Sequence, residues 1–363
     1  MEQQTTEHHY RSERDRFERN GASGSPEWMK HLRRTAFDAF AHQGFPGTDK
    51  EEWRFTNIAP IAKTEFSYAA VSSSAVTQSD LDQFGITEDE HQFVFVNGHF
   101  TPHLSTAEIP SGMTAFAFAQ ADAAGQQLMK QHLAQRIDMN HNAFAALNTA
   151  FVADGLFIQL DSQAAVAAPI HIMNIATGTD EGAPSASYPR VIIDAGEHSS
   201  ATIVETFAAR DNGTYFTNAV TEMLLQTGAN IHYVKLEVES ESAYHMHSIS
   251  VEQRAESVLN MFSLALGGSI SRSDVSVLLE GEKSDCNVNG LYIAEGSRLT
   301  DHHTFIHHKQ PECTSHELFK GILDGNARGV YSGKVYVDAI AQKTDSKQTN
   351  RNLMLSETAT IDT

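Results

Sequence analysis

The chain has 363 residues, 40% of them hydrophobic, and a mean hydropathy of −0.34, enough for one large core or two to three domains. Its formal net charge of −20 sets 26 Lys and Arg against 46 Asp and Glu, and no basic stripe is present to meet a nucleic-acid backbone. No run approaches the roughly 18 apolar residues of a membrane span, residues 1–20 lack the apolar segment of a secretory signal, and two cysteines do not make a disulfide framework; a cytoplasmic protein is expected.

Taken in order, residues 1–24 are polar and charged, close in Gly21-Ala22-Ser23-Gly24, and are expected to form a disordered arm. A helix follows, with Ser25 as N-cap, Pro26 in the first position, Glu27 in the first turn, and Trp28, Leu32, Ala36 and Phe40 as its apolar stripe; Gly44 and Pro46 end it. Residues 50–57, KEEWRFTN, read as a surface turn with one buried tryptophan. A short helix is expected near 79–84, then a strand from Phe93 that turns on Asn97-Gly98, a strong hairpin signal. Residues 121–139 read as helix, continuing loosely into 142–148. From Gly155 the character changes to strands between polar turns, at 156–160, 170–173, 190–193 and 201–204. The division is therefore a disordered arm over 1–24, a mostly helical, mixed N-terminal domain over 25–145 and a β core over 146–363.

Beyond Gly228 a turn keeps returning. Gly281, Gly296, Pro311 and Gly325 sit 15, 15 and 14 positions apart, and the earlier turns near Gly228 and Ala255 are spaced by nearly twice that. The segments between them alternate apolar and polar, most clearly at 275–279, 288–293 and 330–337. A fixed period signals stacked supersecondary units. Reading fifteen residues as one rung of two short strands and two turns predicts a parallel β-helix of seven or more rungs, stacked at roughly 4.8 Å.

Chemical motifs are sparse. Gly329 to Lys334 has one residue too few for a P-loop and Val335 where Ser or Thr must hold magnesium, and it lies in a strand pattern; Gly267-Gly268-Ser269 is neither a dinucleotide fingerprint nor a nucleophile elbow. The densest metal-ligand cluster runs from Asp301 to His308. As a strand it places His303, Phe305 and His307 on one face and His302, Thr304, Ile306 and His308 on the other. His303, His307 and Cys313 are the candidate metal ligands, set against solvated or cross-strand-paired histidines, because no standard ligand spacing is present. Cys286 and Cys313, 27 residues apart, would be two rungs and about 10 Å apart, and are read as small buried hydrophobes. A β-helix also raises a carbohydrate-active enzyme with paired carboxylates across a groove, drawn from Glu280, Glu282, Asp285, Glu295, Asp301 and Asp324 at the turns.

Four long runs in the last eighty residues carry more: 301–308 (DHHTFIHH), 315–323 (SHELFKGIL), 329–335 (GVYSGKV) and 341–356 (AQKTDSKQTNRNLMLS). With 50–57, 93–98 (FVFVNG) and 143–151 (AFAALNTAF), they resemble the SufB/SufD family of iron–sulfur cluster assembly proteins, on its SufD side, from about Trp28 to the last residue. The resemblance implies a mainly β protein with a helical N-terminal domain, a right-handed parallel β-helix core and a C-terminal helical domain. It implies pairing with a SufB-like chain, β-helix to β-helix, and carriage of a SufC-like ABC-type ATPase whose ATP binding shifts the scaffold. On this view the chain is a non-catalytic scaffold that binds no cofactor of its own, and an iron–sulfur cluster passes through the complex transiently. The family's next segment, a Cys-x-His-Gly-Ala-Thr stretch and ATPase-docking helices, lies beyond this sequence. The C-terminal helical domain is therefore expected to be absent, the chain truncated at the end of its β-helix, and ATPase docking weakened. The competing expectations are the carbohydrate-active enzyme and a metal-binding protein built on the histidine cluster.

Overall fold

Ten-residue strands with strict period-two patterning bury one face per strand, and a chain that repeats such strands closes its core by winding. The computed structural model describes residues 2–22, 24–69, 76–85, 90–106, 108–177 and 184–363. Its N-terminal part holds α1 (Glu2–Asn20), α2 (Glu27–Gln43), α3 (Ala59–Lys63), β1 (Ser67–Tyr68), α4 (Gln78–Leu81), the hairpin β2 (His91–Val96) and β3 (His99–Phe100), β4 (Met113–Ala117), α5 (Ala123–His132) and α6 (Ala143–Phe151). There follow β5 (Leu156–Leu160), β6 (Ile170–Ala176), β7 (Ser185–Ser187), β8 (Arg190–Ala195), β9 (Ser200–Ala209), β10 (Tyr215–Leu225), β11 (Asn230–Val238), β12 (Tyr244–Gln253), β13 (Val258–Ala265), β14 (Ile270–Leu279), β15 (Asp285–Ala294), β16 (Leu299–His308), β17 (Thr314–Leu323), β18 (Arg328–Val337), β19 (Asp345–Met354) and β20 (Thr360–Asp362). Among the described residues no helix is long and apolar enough to cross a membrane.

From β8 on, even-numbered and odd-numbered strands separate into two facing sheets, one running β8–β10–β12–β14–β16–β18–β20 and the other β9–β11–β13–β15–β17–β19, the latter joined by β6 beside β9, with every neighbouring pair parallel. This is the expected parallel β-solenoid, of about six turns. The expected rung is corrected, however. From β8 on, ladder partners lie between 26 residues (Tyr244 to Ile270) and 32 residues (Arg328 to Thr360) apart, so fifteen residues make half a turn, one long strand and one corner. The recurring turns at 281, 296, 311 and 325 alternate between the two corners, which is why the period looked half its true size. Cys286 and Cys313 thus lie on adjacent turns, not two rungs apart; both are free, buried thiols inside the main apolar core.

One corner is a stack of left-handed residues, His198, Gly228, Glu256, Lys283, Glu312 and Lys343, whose amides bond turn to turn, as in Glu256 N to Glu282 O at 2.9 Å and Glu312 N to Gln342 O at 2.9 Å. In that corner a Cβ on Gly281 would sit 1.9 Å from the amide nitrogen of Ala255, backbone that has no side-chain freedom to yield. Gly281→Ala is expected to cost about 2–3 kcal/mol in urea unfolding, from overpacking between turns; a change under about 0.5 kcal/mol would show that the corner moves freely.

Three N-terminal expectations are corrected. The segment expected to be a disordered arm is α1, because Tyr10 and Phe17 are buried against Phe40, Phe45 and Phe151, apolar anchors that a composition average hides; Ser23, within that segment, lies outside the described residues. In α2 the buried face is Met29, Arg33, Ala36, Phe37 and Phe40, with Pro26 as N-cap; Ser25 instead accepts a hydrogen bond from Arg33, while Trp28 and Leu32 pack at the side. The helix expected over 121–139 stops at His132, since Glu222 takes the amides of Ala134 and Arg136 at 2.8 and 2.7 Å. The Asn97-Gly98 hairpin forms, with φ of 53° and 81°. The two sheets also take in β2, β3 and β4 from before residue 146, and Phe93, Phe95 and Met113 join the solenoid core.

Candidate functional site

Period-two alternation decides which side of each strand faces the core, and the histidine cluster follows it. In β16, His302, Thr304, Ile306 and His308 point inward while His303, Phe305 and His307 point outward. His303 lies 3.2 Å from Arg272 Nη1, and His307 Nε2 bonds Asp338 Oδ1 at 3.1 Å beside the ring of Tyr336. Four residues along a strand span roughly 13 Å. Cys313 faces the core from the opposite sheet. The structure therefore does not gather His303, His307 and Cys313 around one point. Asp301, read from sequence as a turn carboxylate, is instead buried in β16, while Glu280 at its turn pairs with Lys309.

Asp301 belongs to a buried node that joins the KEEWRFTN turn to the solenoid. Arg272 stacks 3.8 Å over the Trp53 ring, donates to Glu52 O at 2.7 Å and Asp301 Oδ2 at 2.8 Å, and holds Asp274 with three further bonds. Thr56 Oγ1 donates to the same Asp301 oxygen at 2.5 Å. His303 Nε2 is 3.1 Å from Asp301 Oδ1, an ion-pair separation without hydrogen-bond alignment, since that oxygen has no hydrogen-bond partner. Burial pushes the Asp301 carboxyl up, but the Arg272 charge and its neighbours outweigh it and hold the group at about 2.

Deeper in the solenoid the interior is polar over several turns. On β11 the inward positions are Ile231, Tyr233, Lys235 and Glu237. Register sets Glu205 of β9 beside Lys235, and on the other sheet it aligns Thr217, His245 and Ser271, next to Ala219, His247, Ser273 and His302. Lys235 Nζ donates to Glu237 Oε2 at 3.0 Å and Ser273 Oγ at 2.8 Å, and Ser271 Oγ donates to that carboxylate oxygen at 2.9 Å. Thr217 Oγ1 donates to Glu239 Oε1 at 2.6 Å, and Tyr233 and Thr221 both donate to Glu205 Oε2. Burial raises the Glu239 carboxyl to about 7 and also raises that of Glu205, and it drives His245 and His302 down to about 3. A charged group withdrawn from water costs several kcal/mol unless paired. A line of them in a core that elsewhere stacks Ile, Val and Leu marks a candidate functional interior. Sequence reasoning missed Glu237, Glu239 and His245. Their signal was there: Lys235, Glu237 and Glu239 continue the inward phase of Ile231 and Tyr233.

The turn made by β18 and β19 differs from those before it. Tyr336, Val337, Ile340, Leu353, Met354 and Leu355 are between 45% and 64% exposed. Among the described residues, β19 is hydrogen-bonded along one edge only, to β17. Exposed apolar side chains gathered in one region suit contact with another protein.

Comparison with known proteins divides the chain in two. A family model described as the SufBD protein N-terminal region matches residues 2–172, and one described as the SufBD core domain of SUF-system FeS cluster assembly matches residues 173–363. An iron–sulfur cluster assembly SufBD family protein of Synechocystis is 28% identical over 345 residues, 92% of this chain and 75% of the relative. The iron–sulfur cluster assembly protein SufD of Escherichia coli is 26% identical over 347 residues, 96% of this chain and 78% of the relative. SufD of Bacillus subtilis is 23% identical over 350 residues, 92% and 77% respectively.

Proposed function

The chain belongs to the SufBD family of the SUF iron–sulfur cluster assembly system, and from that premise we propose that it is a non-catalytic, cytoplasmic scaffold subunit. It pairs with a SufB-like chain, solenoid to solenoid, and the pair carries a SufC-like ABC-type ATPase, with the nascent cluster as cargo of the complex. The observation that carries this reading is the match of both SufBD family models, together spanning residues 2–363, to a chain whose core is a two-sheet parallel solenoid. The SufB-like solenoid packs on exposed apolar side chains of this solenoid, Tyr336 and Leu353 among them. Among the described residues, the polar interior is closed off from bulk solvent by the two sheets.

Separate pull-downs with each partner test the proposal. Leu353→Asp combined with Tyr336→Asp is expected to weaken capture of the SufB-like chain at least tenfold, because two charges would be buried on docking. Capture that is unchanged in the double variant, with the fold intact by circular dichroism, would reject this face as the pairing surface. Failure of the unmodified chain to retain either partner would reject the scaffold reading itself.

A further inference from the structure

We propose that Glu237, Glu239 and His245 form an internal binding site for a divalent transition-metal ion, distinct from any cluster carried by a complex. One ligand atom from each of the three lies within 4.8 Å of the other two, and all three residues are buried. Ligand atoms sharing an ion with bonds of about 2.0–2.2 Å lie roughly 3–4 Å apart, so only small side-chain movements are needed to close the set.

The second observation concerns what these atoms lack. Glu237 Oε1, Glu239 Oε2 and both ring nitrogens of His245 have no hydrogen-bond partner, although each atom is fully buried. His245 Nδ1 is only 2.7 Å from Glu239 Oε2, and His245 Nε2 is 3.7 Å from Glu237 Oε2, yet neither approach has hydrogen-bond alignment. Orphaned buried polar atoms are rare and call for an explanation. Here four of them converge, and all are acceptors or ligand atoms of the type that coordinate a cation.

The surroundings fit the same reading. Lys235 engages Glu237 through Oε2, which leaves Oε1 free. Thr217 fixes Glu239 through its other oxygen, and Ser271 and Lys235 fix Glu237 through its bonded one, so each carboxylate is held by one oxygen and offers the other. The Phe207 ring stands edge-on to His245 at 4.8 Å and sets its plane. Such outer contacts are how first-row metal sites orient their ligands. Glu237 Oε1 lies directly under the Gly267-Gly268 corner: Gly268 has a φ of 80°, and a Cβ there would come within 3.3 Å of that oxygen. One imidazole and two carboxylates, with no thiolate, favour Fe2+, Mn2+ or Zn2+ over Cu+.

Anaerobic equilibrium dialysis of the full chain against Fe2+, and in separate runs Zn2+ and Mn2+, with metal counted by mass spectrometry, is the test. About one tightly held ion per chain is expected with at least one of these metals, and at least a tenfold loss of affinity in Glu239→Gln and in His245→Gln. A His303→Ala/His307→Ala double variant is expected to bind as the unmodified chain does. Uptake that survives both interior variants, or that disappears in the outer double variant, would overturn the assignment, as would no uptake of any of the three metals. Should the interior variants fail to fold, Co2+ bound to the unmodified chain decides: visible bands intensified above those of aqueous Co2+, without sulfur charge transfer, support the site, and the weak spectrum of the solvated ion overturns it. The inference does not rest on the scaffold reading, because partner capture and metal uptake are measured separately on the same protein.

Discussion

Replacing Arg272 with Met is expected to cost about 3–5 kcal/mol of stability, the usual penalty for removing one member of a buried ion pair. Arg272 is 2% exposed and is the positive partner of Asp301, which is fully buried. Without it Asp301 keeps only Thr56 as an aligned donor, and Trp53 loses the guanidinium stacked on its face. The loss would also release Glu52 O, so the turn at 50–57 should detach from the solenoid. Urea unfolding and proteolysis at that turn are the measurements. Adding Asp301→Asn to Arg272→Met is expected to recover part of the loss, because the orphaned charge is what costs most. The assignment fails if Arg272→Met costs less than about 1 kcal/mol, or if the second substitution deepens the loss.

How much of this was legible in the sequence depends on distance along the chain. The solenoid was, because period-two alternation and recurring corners are local signals: strands at 275–279, 288–293 and 330–337 all lie inside the observed β14, β15 and β18. The inward and outward faces of the histidine run followed from the same rule. Its rung size did not, since two corners of similar composition halve the apparent period. Trp53 was recognised as buried, but its partner Arg272 is more than two hundred residues away and no pattern in residues 50–57 points to it. Glu237 and His245 were passed over for a different reason. Charged residues in alternating strands are ordinarily assigned to the solvent side, and only their phase relative to Tyr233 and Ile249 places them inside.

The second large effect is expected at Arg190 and Glu222, an ion pair with both side chains fully buried where α6 meets the solenoid. Arg190 also donates to Asn148 Oδ1 at 2.9 Å and Thr149 Oγ1 at 3.0 Å, while Glu222 accepts the amides of Ala134 and Arg136. One carboxylate thus ties three elements together: β8, β10 and the segment that leaves α5. Arg190→Met should cost about 3–5 kcal/mol, because it strips Asn148 and Thr149 of their donor and leaves Glu222 charged and buried. Glu222→Ala should do more locally: it frees two backbone amides, so hydrogen exchange at Ala134 and Arg136 is expected to accelerate by at least about tenfold. The double variant Arg190→Met/Glu222→Gln should lose less than the sum of its parts, with a coupling of about 1–3 kcal/mol. Additive losses would mean that the two groups act independently. Unchanged exchange at both amides in Glu222→Ala would mean that something other than this carboxylate ends the helix at His132 and fixes the N-terminal helices to the solenoid.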